Sequence, residues 1–219
     1  MAVTIFKDFI SLDEIKLIKD HYAQVEFQNK GMHPDTNQLQ WENASLDDDI
    51  LRNVLHDKIV QVVGSNYEIS QGCGKFQRCH VPFGMHTDSK KRINPDRPAE
   101  TCESEGRALL IPLDQGPHFN TVFWQEKFFD EASQRQAFVE FTELSDADIR
   151  NSNIGLEYDL AFSWDDPDPA RKLYNHLTFD SVFNWELGTA AVWDRNQIHA
   201  ASDFTKHHAF KDAITIFFE

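Results

Sequence analysis

The sequence predicts a mainly β protein with helices flanking its sheets. Runs of β-branched and aromatic residues, bounded by turn-forming residues, predict strands at 67–70, 75–81, 107–113, 121–124, 189–194 and 213–218. Phenylalanine is abundant, at 18 residues, which suits packing between two curved sheets. Apolar residues at helical spacing occur mainly ahead of the first of these strands.

Residues 1–66 predict a short strand and two helices. Alternating apolar residues at 3–10 precede Ser11 and Glu14, which have the spacing of a capping box at the start of a helix. Apolar residues at helical spacing predict a second helix from Asp47 to Val63 that ends at Gly64. Residues 28–45 are polar and contain turn-forming residues, so we expect them to run over the surface near the mouth of a site.

Length and composition limit the classes of function. A chain of 219 residues can bury one sizeable core, and we expect a single domain over 1–219. Three cysteines without metal-finger spacing imply no disulfide framework and favour a reducing cytoplasm. No signal peptide or membrane span is evident, so a soluble cytoplasmic protein is expected. The net charge of −15 opposes broad contact with nucleic acid.

A metal site is predicted from His86, Asp88 and His199. Residues i and i+2 of an extended segment face the same way, so His86 and Asp88 can present an imidazole and a carboxylate together. With His199 from a distant strand, they would make the 2-His-1-carboxylate arrangement that suits non-haem Fe(II) and leaves coordination positions open. A His-x-Asp motif alone is a weak signal, because a lone histidine is usually a polar surface residue or a satisfied core residue.

The order of strands and ligands strengthens this interpretation. His86-Thr87-Asp88 follows the second predicted strand, and His199 lies between the last two. This pattern resembles the Fe(II)/2-oxoglutarate-dependent dioxygenases, whose core is a double-stranded β-helix, a jelly roll of cupin-like form. The resemblance covers about residues 67–219 and the strand-then-helix opening. It implies N-terminal elements at 1–66 that buttress the sheet, a core at 67–124 and 180–219, and an insertion at 125–179 that shapes the substrate entrance.

The same resemblance implies an activity and its cofactors. Fe(II) would be held by His86, Asp88 and His199, and 2-oxoglutarate would be the co-substrate. Substrate oxidation by dioxygen, normally a hydroxylation, would release succinate and CO2. The substrate would be a small molecule or an amino-acid side chain, and the chain would act as a monomer or homodimer. The alternatives are a metal-dependent cupin enzyme that does not use 2-oxoglutarate and a non-catalytic jelly-roll binding protein.

The far carboxylate of 2-oxoglutarate needs a fixed cation, because it enters a partly desolvated pocket. In the resembled family this cation most often opens the last core strand, where Lys211 stands, and Arg107 on an earlier strand is the alternative. Arg78 and His80 share one face of a predicted strand and are further candidates, although either residue could instead be exposed or structural. A common family pattern places a serine two residues beyond the cation, and Ala213 departs from it.

Other polar segments have weaker interpretations. The basic, proline-containing loop at 89–98 could attract an anionic substrate or could be an ordinary solvated loop. The insertion at 125–179 could instead be an oligomer contact. His207 and His208 could suggest a second metal site, but adjacent histidines in a loop are a poor ligand pair.

Overall fold

The computed structural model describes residues 3–32, 37–64, 69–83, 86, 88, 106–116, 118–127 and 178–218. The predicted loop at 89–98 and nearly all of the predicted insertion at 125–179 lie outside these residues. Within the described part of the chain, no helix is both long and apolar enough to cross a membrane.

The N-terminal part supplies the helices. It comprises β1 (Thr4–Phe6), α1 (Leu12–Tyr22), β2 (Asn29–Met32), β3 (Leu39–Ser45), α2 (Asp48–Ile50), a π-helical turn (Leu51–Leu55) and α3 (His56–Val63). The capping box is confirmed, since Glu14 N donates to Ser11 Oγ at 3.3 Å and Ser11 N donates to Glu14 Oε2 at 2.8 Å. The second helical region also ends as predicted, at Gly64, whose φ of 93° favours glycine.

Residues 28–45 differ from the sequence-based expectation because they contain β2 and β3 instead of a surface loop. Gly31 permits this hairpin, since a Cβ there would lie 2.2 Å from the Trp41 indole. Asn43 of β3 is polar and faces a cavity, and β2 is largely exposed, so these strands lack the apolar alternation on which the prediction depended.

The remaining strands form the core. They are β4 (Ile69–Cys79), β5 (Arg107–Pro112), β6 (Asn120–Lys127), β7 (Phe179–Asn184), β8 (Ala190–Asp194), β9 (Gln197–Ala201) and β10 (Lys211–Phe218). A seven-stranded sheet has the order β1-β8-β5-β10-β4-β3-β2, and a three-stranded sheet has the order β7-β6-β9. All described strand pairs are antiparallel. The predicted mainly β fold with a jelly-roll core is confirmed.

The large sheet separates two environments. Side chains alternate between its faces, so Ile214, Ile216 and Phe218 of β10 pack in one apolar cluster with residues of α1 and α3. Ala213, Thr215 and Phe217 of the same strand face the three-stranded sheet. The space between the sheets is not completely filled, and the candidate site lies there.

Candidate metal and co-substrate site

Backbone pairing brings the predicted metal ligands together. His86 and His199 form an antiparallel bridge in which His86 N donates to His199 O at 2.9 Å and His199 N donates to His86 O at 3.0 Å. Two residues further along, Asp88 N donates to Arg195 O at 2.8 Å. The segment that carries His86 and Asp88 is therefore aligned against β9 and the turn before it.

The three side chains converge as a metal site requires. Asp88 Oδ1 lies 3.8 Å from His86 Nε2, and Asp88 Oδ2 lies 3.6 Å from His199 Nε2. One potential ligand atom from each residue lies within 4.8 Å of the others. Among the described residues, no other group of three or more His, Cys, Asp or Glu side chains meets this condition. Two imidazole nitrogens and a carboxylate on one side of an ion fit the donor set of a facial Fe(II) site.

Neighbouring groups orient these ligands. His199 Nδ1 lies 3.0 Å from the carbonyl oxygen of Gln197, which can only accept, so Nδ1 is the donor and Nε2 is the nitrogen directed to a metal. Trp193 Nε1 donates to Asp88 Oδ2 at 3.1 Å. The Phe123 ring lies nearly parallel to the His199 ring, with centroids 5.6 Å apart. Groups of the protein thus hold the imidazole and the carboxylate in position.

The ligands open into a cavity of about 490 Å³ between the sheets. Its walls are largely apolar, and their polar groups are few. Among the described lining residues the formally charged ones, apart from the histidines, are Lys75, Asp88 and Lys211. Once Asp88 binds a metal, the remaining fixed charges in this lining are positive.

Lys211 is the unusual residue of this cavity. Its side chain is 2 % exposed, and its Nζ has no hydrogen-bond partner among the described residues. The ammonium group lies 3.8 Å from the centroid of the Trp185 ring and 5.0 Å from that of Phe204. Burial lowers the pKa of Lys211 to about 8. A buried cation without a partner is costly, and a ligand carboxylate is the kind of group that would offset that cost.

A short series of contacts connects Lys211 to the metal ligands. The Trp185 ring beneath its ammonium donates from Nε1 to Thr121 Oγ1 at 3.0 Å, and Thr121 pairs with Ala201. Ala201 and His199 are two residues apart on one face of β9, which corresponds to roughly 7 Å. The residues present therefore fit both an Fe(II) ion and a co-substrate that reaches from it to Lys211.

Arg78 does not reach the cavity. It faces the opposite side of the large sheet and makes a double hydrogen bond to Asp212, with both N···O distances at 2.8 Å. Its guanidinium also lies 4.2 Å from the centroid of the Phe210 ring. His80, on the same face, contacts Glu42 Oε2 at 3.0 Å. The face of β4 that lines the cavity is the other one, which carries Lys75, Gln77 and Cys79.

Arg107 is also turned away from the cavity. It opens β5, where Leu110 lines the cavity, and alternation places Arg107 on the opposite face with Leu109 and Ile111. Of the three cations suggested by the sequence, the structure brings Lys211 alone into the described cavity lining. His207 and His208 lie in a loop, where the His207 ring stacks on that of His118 at 4.6 Å.

Comparison with solved structures supports the architecture. The epimerase SnoN from nogalamycin biosynthesis, a non-haem α-ketoglutarate-dependent enzyme, matches over 99 % of this chain and 78 % of its own, with a TM-score of 0.58 and 9 % identity. The chain has the fold of the 2-oxoglutarate oxygenases. HygX from Streptomyces hygroscopicus, with nickel and 2-oxoglutarate bound, matches over 99 % of this chain and 82 % of its own, with a TM-score of 0.54 and 11 % identity.

A third structure of this oxygenase fold gives the same result. EctD from S. alaskensis, with 2-oxoglutarate and 5-hydroxyectoine, matches over all of this chain, 100 %, and 72 % of its own, with a TM-score of 0.51 and 12 % identity. No protein-family model and no curated protein sequence matches the chain.

Several site residues of this 2-oxoglutarate oxygenase fold were missed in the sequence. Trp193, which donates to Asp88, and Trp185 are two of the aromatic residues on cavity-facing positions. Trp193 was the easier of the two to identify from the sequence, because it occurs six residues before His199 in the apolar run that was interpreted as a strand. Trp41 and Asn43 had no signal of this kind, since β3 itself was not predicted.

Proposed function

We propose that this chain is an Fe(II)- and 2-oxoglutarate-dependent dioxygenase that oxidises a small molecule or an amino-acid side chain. The overall reaction is a hydroxylation in which one oxygen atom of O2 enters the substrate and the other enters succinate, with release of CO2. The observation that carries the proposal is the occurrence, in one cavity, of the His86, Asp88 and His199 cluster and a buried unpaired Lys211. A metal-binding protein that did not use a dicarboxylate would have no evident need for a buried, unpaired lysine in the same cavity.

Each residue has a distinct part in this proposal. His86, Asp88 and His199 would hold the ion, and iron bound there would supply the redox chemistry that activates dioxygen. Lys211 would bind the far carboxylate of 2-oxoglutarate, with the Trp185 ring supporting its ammonium group from below. Phe123 and Trp193 pack around His199 and keep water away from that side of the site.

The solved structures support a small-molecule substrate. EctD was solved with 5-hydroxyectoine, and SnoN acts in the biosynthesis of nogalamycin. A cavity of about 490 Å³ is large enough for 2-oxoglutarate and a second small molecule. Hydroxylation is the simplest outcome of the proposed chemistry.

The proposal is tested by iron binding and 2-oxoglutarate turnover in His199→Ala. The wild-type chain should bind Fe(II) stoichiometrically and convert 2-oxoglutarate to succinate, and the variant should lose both activities while keeping its circular dichroism spectrum. His207→Ala is the matched control, because it removes a histidine outside the cavity and should behave as wild type. Iron binding without any succinate in the presence of 2-oxoglutarate would favour a cupin enzyme of another kind, and full iron binding by His199→Ala would refute the site.

A further inference from the structure

A second polar region of the cavity lies on the large sheet, away from Lys211. It consists of Asn43, Lys75, Gln77 and Thr215, which we call the donor wall. Cross-strand pairing places these residues side by side, since Asn43 is opposite Gln77 and Lys75 is opposite Thr215. The proposed reaction with iron and 2-oxoglutarate gives these residues no task.

Both amide oxygens of the donor wall accept a hydrogen bond. Asn43, 4 % exposed, accepts at Oδ1 from Asn29 Nδ2 at 3.1 Å. Gln77 accepts at Oε1 from the Thr215 hydroxyl at 3.4 Å. Each amide therefore has its NH2 group left to donate. Within the described part of the chain neither NH2 group has an acceptor, so each can donate to a ligand in the cavity.

Lys75 adds a positive charge to the donor wall. Among the described residues, its ammonium has neither an ion-pair nor a hydrogen-bond partner. Asp88 is the one carboxylate in the described cavity lining, and the metal would take it. The wall therefore presents N–H donors and a cation to whatever occupies the cavity next to it.

The donor wall is separate from the 2-oxoglutarate position. Lys75 pairs with Thr215, and Cys79 pairs with Lys211. Four residues along a strand separate the backbone positions of the two lysines by roughly 13 Å, which is longer than a five-carbon dicarboxylate. A molecule that links the metal to Lys211 therefore leaves Lys75 available to a second ligand.

We propose that the donor wall binds a carboxylate of the substrate, so that the enzyme acts on a small monocarboxylate with an apolar or aromatic body. One ammonium and two amide NH2 groups match the single charge and the acceptor atoms of a carboxylate. Trp41, Leu110 and Phe217 supply apolar surface beside the wall for the rest of the molecule. The inference rests on the proposed function for the identity of the other ligand, 2-oxoglutarate.

A pair of fluorescent isosteres tests the inference. 2-Aminobenzoate and 2-aminobenzamide have the same shape and differ in charge, and each is titrated into protein loaded with Mn(II) and 2-oxoglutarate, which does not turn over. The acid should bind about tenfold more tightly than the amide, as expected for one charge-assisted contact. Lys75→Met should abolish this preference, and Lys75→Arg should retain it.

Contrary results are unambiguous. Equal binding of the two probes, a preference that survives in Lys75→Met, or no saturable binding of either probe would overturn the inference. Mn(II) and 2-oxoglutarate binding are measured on the same samples. If the wild-type chain does not bind them, the proposed function fails instead. Repeating the titration on unloaded Lys211→Met protein measures the dependence on Lys75 even in that case, because the second cation is then absent.

Discussion

His86 and His199 form a reciprocal pair of backbone hydrogen bonds, so two of the proposed metal ligands are fixed relative to each other by the main chain. Their ring centroids are 4.2 Å apart. Asp88 is placed by a further backbone bond to Arg195, and the Trp193 indole fixes its carboxylate. Preorganisation of this kind reduces the conformational cost of metal binding.

The indole of Trp193 should therefore affect metal affinity. Trp193→Phe removes the donor to Asp88 Oδ2 and keeps most of the packing, so we expect metal affinity to fall by about tenfold or more, as found for outer-shell partners of metal ligands. Mn(II) titration followed by electron paramagnetic resonance measures the change. Trp185→Phe is the matched control. It loses its bond to Thr121 and should bind metal normally, and equal metal affinity in both variants would argue against the role of Trp193.

Lys211→Met should separate co-substrate binding from metal binding. The variant loses the cation for the far carboxylate, so affinity for 2-oxoglutarate should fall at least about tenfold, as expected from a contact of roughly 1.5–3 kcal/mol. Mn(II) affinity should not change. The ligand-free variant should also be more stable, by on the order of 1–3 kcal/mol in the free energy of unfolding, because a buried unpaired charge has been removed.

The control for Lys211→Met is Arg107→Ala, which alters a cation on the opposite face of the sheet. It should bind 2-oxoglutarate as wild type does. If instead Arg107→Ala loses 2-oxoglutarate binding and Lys211→Met retains it, the assignment of the two residues is reversed.

The pKa of Lys211 predicts a pH dependence. In the unliganded folded chain, burial lowers this pKa from 10.5 to about 8, so the ammonium loses its proton as the pH rises through about 8. Affinity for 2-oxoglutarate should then weaken by up to about tenfold per pH unit in Mn(II)-loaded protein. Cys79, opposite Lys211, stays a thiol in this range because burial raises its pKa to about 12.

The free energy of unfolding should change with pH in the opposite direction to the affinity for 2-oxoglutarate. Between about 8 and 10.5 the unfolded lysine keeps a proton that the folded one has lost, so the free energy of unfolding should rise with pH across this window. Chemical denaturation across the window measures it, and subtracting the curve for Lys211→Met isolates the contribution of this residue. Identical curves for the two proteins would contradict a depressed pKa at Lys211.

Arg78→Met should destabilise the fold without changing ligand binding. It leaves the Asp212 carboxylate, 1 % exposed, without its bidentate partner, so we expect a loss of about 3 kcal/mol in the free energy of unfolding. Adding Asp212→Asn should recover part of that loss, as urea denaturation can show. A large decrease in 2-oxoglutarate affinity in folded Arg78→Met would instead indicate a role at the site.

Strand order and the metal cluster could be predicted because they depend on local spacing. Alternation in an extended segment was enough to place His86 and Asp88 on one side, and apolar runs indicated most core strands. Alternation defines two faces of a strand without saying which one is internal. Arg78 and Gln77 were therefore equally possible as cavity-facing residues. Arg78 faces the other way because it pairs with Asp212, which comes from a distant strand.

The strands that line the cavity were harder to predict. Asn43 and Gln77 are polar because they face a space between the sheets, so their strands lack the apolar pattern of a packed core. The bounds of the strand that carries His199 could not be predicted for another reason. Gln197 is buried, and its amide donates hydrogen bonds to Trp124 O and Asp180. From the sequence alone, a glutamine at this position would be interpreted as a surface residue.

Adjacent residues of β10, Lys211 and Asp212, are both buried but project to opposite faces of the sheet. Sliding β10 by one position against β4 and β5 would exchange them. The ammonium would then enter the apolar layer under α1, and the carboxylate would leave Arg78 for a cavity that already holds Asp88. Both changes are unfavourable, so we expect the final strand to tolerate a single alignment when it completes the sheet. The charges proposed to bind co-substrate and stabilise the core would thereby also select the correct register of the final strand.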